Sequence, residues 1–256
     1  MAAFFYTLWS DVYNLQNQGG TMGILEHYRG LHKNAGIVLE SSFSDDGLRK
    51  IFTASHNFIG DFNLMKLPMD ARPEVELLDL AIKEYQFALY AVSVGQYRHA
   101  YIGLRLFFEL ALSCMHFSVR EFELRQWLGD RRDIVWASLK DLENGIFSKN
   151  FISLFDDSLA EFGRQYCTIA EAVYRECSEY VHGNAKTHEA IPSSLEFDKA
   201  ALCDWHEKAK SMRMVLVFAF CCRHLPSIKS EDRDKLEVML LEVLGHLAPV
   251  RKYFQQ

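Results

Sequence analysis

Two long apolar stripes at helical spacing, separated by a single dipeptide, constrain this chain more than any other feature. Pro73, a residue suited to a first helical position, is followed by Val75, Leu77, Leu78, Leu80, Ala81, Ile82, Tyr85, Ala88 and Leu89 on one wide helical face. After Gly95-Gln96 the same period resumes with Tyr97, Ala100, Leu104, Phe107, Phe108, Leu110, Ala111 and Met115. A connection that short returns the chain on itself, so the expectation is an antiparallel αα-hairpin. With only five prolines in 256 residues the chain is also poor in the turn chemistry of an all-β fold. The predicted class is all-α, a helical bundle.

The rest of the chain carries further helical segments and no repeats. Ala2 to about Gln16 is dense in aromatic residues and ends at Gln18-Gly19-Gly20-Thr21, which reads as a short helix and a turn. Ile24 to Lys33 and Asp45 to Ala54 read as short helices, the second capped by Ser44. The period fades between Asn57 and Arg72, where Pro68 and Pro73 bracket a connection, so residues 1–70 are expected to form an N-terminal helical extension and 71–256 the main helical domain. Helices are then expected from Arg120 to Leu128, from Ile134 to Leu142 and from Ser158 to the Gly183-Asn184 stop. A loop holding Pro192 leads to one more from Phe197 to about Leu225 and a last one from Arg233 to about Phe254.

A formal net charge of −6 gives the whole molecule no attraction for a polyanion, so any nucleic-acid contact must use a local basic cluster. Candidates are Arg120 with Arg125, the pair Arg131-Arg132, and Arg175 with Lys186. The six cysteines lie in apolar helical segments without Cys-x-x-Cys spacing and read as small buried hydrophobes in a reducing compartment. The N-terminal residues lack a basic region and a cleavage pattern, and the longest apolar run, Met214 to Cys222, is about half a membrane span. A cytoplasmic location without membrane contact is expected.

Arg175 and His182 stand seven residues apart in a strongly helical stretch, two turns, so both fall on one face. Glu179 completes the stripe, able to pair with Arg175 and to orient His182, while Ser178 flanks it. A permanent cation beside a group that titrates near neutral pH is the minimum equipment for metal-free phosphodiester chemistry. The same spacing also suits an ordinary exposed Arg-Glu pair with a histidine near a helix C-terminus.

The segment Tyr174-Arg-Glu-Cys-Ser-Glu-Tyr-Val-His-Gly-Asn184 resembles the Arg-x(4–6)-His motif of the HEPN superfamily, the higher eukaryotes and prokaryotes nucleotide-binding domains. Gly95 to Glu109 looks like the turn and second long helix of the same bundle, and the resemblance spans roughly Pro73 to Leu225. It implies a HEPN-like antiparallel helix core with additional N-terminal helices, and a metal-independent endoribonuclease of prokaryotic defence or toxin systems. Arg175 and His182 would be the catalytic pair, without cofactor or metal. RNA would be the substrate, a homodimer would bring two motif helices together, and a defence-system partner protein is a further implied associate. Glu176, Glu179, Ser178 and Tyr180 are supporting candidates, and Asn184 and Lys186 candidates for RNA contact. Glu176 departs from the Asn, Asp or His that often follows the arginine in that family, and a carboxylate there would repel a phosphate. The alternative implied by the same resemblance is a non-catalytic interaction or regulatory subunit that binds a nucleotide or a partner protein.

Other chemistry finds little support. Glu179-x-x-His182 also fits half of a di-iron carboxylate site, but no second Glu-x-x-His is present, since Glu242 and His246 stand four apart. His116, His188, His206, His224 and His246 are expected to face solvent or cap helices, Cys177 to face the core, and Arg105 with Glu109 to form a buried ion pair that braces the motif helix.

Overall fold

A computed structural model describes residues 21–255. The helix expected over Ala2 to Gln16 lies outside them. Among the described residues the regular structure is entirely helical, with no strand. The centre is the expected hairpin, α3 (Val75–Ser93) and α4 (Tyr97–Phe117), in the closest of all the helix pairings. Gly95 makes the reversal with a φ of 79°, a left-handed backbone that a side chain would strain. α4 is long and apolar enough to cross a membrane, yet 72% of its most apolar window is buried inside the bundle. Three further long helices close around the hairpin: α2 (Asp46–Leu64), α8 (Gly163–Val181) and α10 (Lys199–His224). α1 (Thr21–Ser42) leans on the outer side of α3.

Several boundaries differ from the expected ones. α1 and α2 are both longer, and Asp45 rather than Ser44 caps α2 by accepting from Leu48 N–H at 2.8 Å. Residues 57–64, which read as aperiodic, are helical because Phe58 and Phe62 continue the buried stripe of Leu48, Phe52 and Ser55. That stripe joins the same core as the hairpin. Buried Arg213 on α10 bonds Asp61 at 2.7 Å, and buried Ser55 bonds His206 at 2.7 Å while its carbonyl accepts from Tyr85.

The expected helix from Ile134 to Leu142 shrinks to one turn, α6 (Trp136–Leu139), after α5 (Glu121–Leu128). A short α7 (Lys149–Ser153) and a 3-10 turn at Asp157–Phe162 precede α8, with Asp156 and not Ser158 as the capping side chain of that turn. The loop with Pro192 holds a small α9 (Ala185–Glu189), and the single C-terminal helix is two, α11 (Ser230–Leu244) and α12 (Ala248–Phe254).

The interior holds more titratable groups than expected. His116, His206 and His224 do not face solvent, at 5%, 4% and 1% exposure. Burial pushes their imidazoles down to about 3, about 4 and about 3 respectively, so each is neutral near pH 7. Five of the six cysteines are buried, and burial raises their thiols.

Candidate functional site

α8 is amphipathic over its whole length. Tyr166, Cys167, Ala170, Val173, Tyr174 and Cys177 face the core, against α4 on one side and α10 on the other. Val181 is its last residue and His182 its C-cap, with the His182 N–H bonded to the Ser178 carbonyl at 3.1 Å. Gly183 then takes a φ of 66°, which ends the helix directly after the histidine. Nothing lies within 4 Å of where a Gly183 Cβ would stand, so backbone conformation alone selects glycine there.

Arg175 and His182 both stand exposed on the outer side of this helix end, and the Arg175 side chain is 84% accessible. Its nearest acid is Glu179, at 3.9 Å from Nε, too far for a hydrogen bond. Among the described residues no hydrogen bond joins Glu179 to His182 and none engages the Arg175 guanidinium. Ser178 is turned inward along the helix, its hydroxyl donating to the Tyr174 carbonyl at 2.7 Å. Asn184 and Lys186 are exposed in the turn after the histidine, at the start of α9.

The two tyrosines of this segment are structural. Tyr180 lies flat on Tyr101 of α4, with centroids 3.9 Å and planes 10° apart. Tyr174 stacks on Trp136 at 3.7 Å, and its hydroxyl accepts from Arg105 at 2.6 Å and donates to Glu109 at 3.2 Å. The Arg105-Glu109 pair thus holds the motif helix through a tyrosine that the sequence did not single out. Burial raises both tyrosine hydroxyls above their ordinary range.

Glu176 points away from Arg175 and toward α10. Its carboxylate pairs with Lys208 Nζ at 3.0 Å, and Lys208 also bonds Asp204 at 2.7 Å, which in turn accepts from the Tyr101 hydroxyl at 2.6 Å. Burial works to lower the Lys208 ammonium, but the bonds to Asp204 and Glu176 hold it above its ordinary value. The negative charge next to the arginine is therefore partly compensated from the neighbouring helix.

Arg98, at the start of α4, is a further contributor. It donates to the Tyr180 carbonyl at 2.7 Å and reaches Thr187 Oγ1 at 3.3 Å and His188 Nδ1 at 3.2 Å, pinning the turn that carries Gly183, Asn184 and Lys186. Only the i,i+4 spacing of Asp204 and Lys208 is a local signal in the sequence; Arg98 has none, because its partners lie about ninety residues away.

Of the other basic candidates, Arg131 is exposed with no side-chain partner among the described residues, and the remaining three are spent on acids and carbonyls. Arg120 bonds the His116 and Asn144 carbonyls, Arg125 pairs with Glu121, and Arg132 pairs with Glu123 at 3.0 Å. Among the described residues no group of three histidine, cysteine or acidic side chains is arranged to hold a metal. Glu242 pairs with Arg213, and His246 contacts the Tyr166 hydroxyl at 3.1 Å.

Fold and site together define a class: an all-α bundle that displays an arginine and a histidine, two turns apart, on the exposed end of a core helix. Set beside protein families, characterised proteins and solved structures, the chain has no match in any of the three comparisons.

Proposed function

We propose that this chain is a HEPN-like, metal-independent endoribonuclease that acts as an effector in a prokaryotic defence or toxin system. The observation that supports it most directly is the display of Arg175 and His182 on one outer stripe of α8, with Cys177 and Tyr180 between them turned to packing. The engagement of Glu176 by Lys208, which Asp204 shares, weakens the electrostatic objection to a phosphate beside Arg175. In this reading the RNA 2′-hydroxyl attacks the adjacent phosphorus, the 5′-oxygen leaves, and a 2′,3′-cyclic phosphate results. His182 takes or returns the proton, and Arg175 stabilises charge on the phosphoryl oxygens. One helix end offers a single pair, so two chains meet across a twofold axis and flank one phosphate with two pairs. Asn184 and Lys186 border the strand.

The test is cleavage of cellular RNA by the purified protein, with fragment ends examined for cyclic phosphate. Arg175→Ala and His182→Ala should each abolish the cyclic ends while the far-UV spectrum stays that of the wild type. Cleavage that persists undiminished in both variants overturns the assignment. The second reading, a non-catalytic interaction subunit, is favoured by one observation: two concavities of the described surface, of about 620 and 650 Å³, lie away from the pair, at the α1–α2–α3 groove and around Pro226 and Tyr253. Retained partner or nucleotide binding by His182→Ala, with no cleavage by the wild type, selects it.

A further inference from the structure

Arg98 carries a positive charge that no acid neutralises. Its guanidinium is half-buried at the start of α4, and among the described residues no carboxylate lies within 4 Å of it. Its partners are uncharged: the Tyr180 carbonyl, the Thr187 hydroxyl and the His188 ring. By contrast Arg105 pairs with Glu109, Lys208 with Glu176 and Asp204, and Arg213 with Asp61 and Glu242. An ion held partly out of water without a counter-ion costs free energy, and a bound anion supplies the counter-ion.

The same end of the bundle carries two more cations in that condition. Arg175 meets only Glu179, beyond hydrogen-bond reach, and exposed Lys186 pairs with no acid among the described residues. Arg98, Arg175 and Lys186 thus supply the local basic cluster that a molecule of net charge −6 needs in order to hold a polyanion.

His188 adds a directed donor. A guanidinium only donates, so its 3.2 Å contact makes His188 Nδ1 the acceptor and leaves the ring proton on Nε2. The ring is anchored through its neighbour: Thr187 is buried, donates to the Asn184 carbonyl at 2.7 Å and accepts from the same guanidinium at 3.3 Å. Because that guanidinium is a rigid planar fork, the Tyr180 carbonyl oxygen and His188 Nδ1 stand within roughly 8 Å of each other, which sets His188 close to the helix end that carries His182. Three of the five Arg98 N–H groups are engaged, so two remain open beside His188 Nε2–H.

We infer that Arg98 and His188 form a second phosphate subsite beside Arg175 and His182, taking the phosphodiester of the nucleotide next to the one that is cut. The inference rests on the ribonuclease reading of that pair. His188 Nε2–H and the open Arg98 N–H groups donate to the non-bridging oxygens and transfer no proton, so both are positioning residues.

The test titrates a short fluorescein-labelled single-stranded RNA with the wild type, His188→Ala and His188→Gln, read by anisotropy, and follows steady-state cleavage of the same RNA. His188 is exposed, so neither substitution disturbs the fold. His188→Ala should weaken binding about tenfold and raise KM alike, with kcat unchanged. His188→Gln, whose amide keeps one acceptor and one donor group, should recover most of that loss. His56→Ala, at an exposed histidine of α2, should bind as the wild type does. Equal binding by the wild type and His188→Ala, or no binding by the wild type, overturns the subsite whether or not the RNA is cut. Weakened binding in His188→Ala with no cleavage by the wild type upholds the subsite and overturns the ribonuclease reading instead.

Discussion

The interior of the bundle and the exposed end of α8 use the same polar side chains in opposite ways. Arg213 is 10% exposed at its side chain and clamped between Asp61 and Glu242, with its guanidinium 4.5 Å over the Phe58 ring, whereas Arg175 is 84% exposed and meets one acid at 3.9 Å. His206 is buried against Ser55 and kept neutral, whereas His182 stands in solvent at a helix end. A residue held by several partners contributes to stability and has no freedom to engage a ligand. One with no partner contributes little to stability, and its geometry and charge remain open to a substrate. Function is therefore to be sought at the end of α8, where two side chains suited to phosphate chemistry are left without structural employment.

Lowering the pH should produce the largest contrast. His116, His206 and His224 have imidazoles depressed from about 6.5 to about 3, about 4 and about 3, so above pH 6.5 they are neutral in both states and cost nothing. As pH falls from 6.5 toward 4 the unfolded chain takes up protons that the folded one refuses. Stability should then drop by about 1 kcal/mol per pH unit for each histidine, several kcal/mol in sum. Urea midpoints measured between pH 7 and pH 4.5 check this, and a flat profile would show that the three imidazoles are accessible to solvent. His206→Gln should flatten part of the slope.

Next comes truncation on the buried side of α8. Tyr166 stacks on Phe218 at 3.8 Å and is 1% exposed, so Tyr166→Ala should cost about 3–5 kcal/mol in denaturant unfolding. A smaller loss is expected from Tyr174→Phe, which keeps the stack on Trp136 but removes the acceptor of the Arg105 bond, at about 1–3 kcal/mol. Stability within about 0.5 kcal/mol of the wild type is expected at the other extreme, for Arg175→Ala and His182→Ala. Those two variants sharpen the comparison most, because the same proteins are expected to lose all RNA cleavage. A loss of several kcal/mol in either would move the pair to the structural side of the molecule.

The hairpin and the motif helix were legible for the same reason: their apolar residues repeat at helical spacing over many turns, and Gly95 and Gly183 mark their ends with left-handed backbone. Local pattern failed where few residues carry it. The stretch from Ile134 to Leu142 is apolar enough for a helix, but one turn suffices to bring Trp136 onto Tyr174, and the chain then turns at Gly145. The buried histidines depart from expectation because a lone polar residue in a sequence is ordinarily a surface residue, and what buries His206 is the packing of α2, which brings Phe52 and Ser55 onto it.

By itself the sequence determined the all-α class, the hairpin and the single face shared by Arg175 and His182, since each follows from spacing along one helix or across one turn. Only the tertiary structure decided which way the neighbours of that pair point. Glu176 turns to Lys208, Tyr180 to Tyr101 and Tyr174 to Arg105, and Arg98 fixes the turn beyond the histidine. Those partners stand between about thirty and ninety residues away in the chain, a separation that no periodicity encodes and that packing of α4, α8 and α10 against one another supplies.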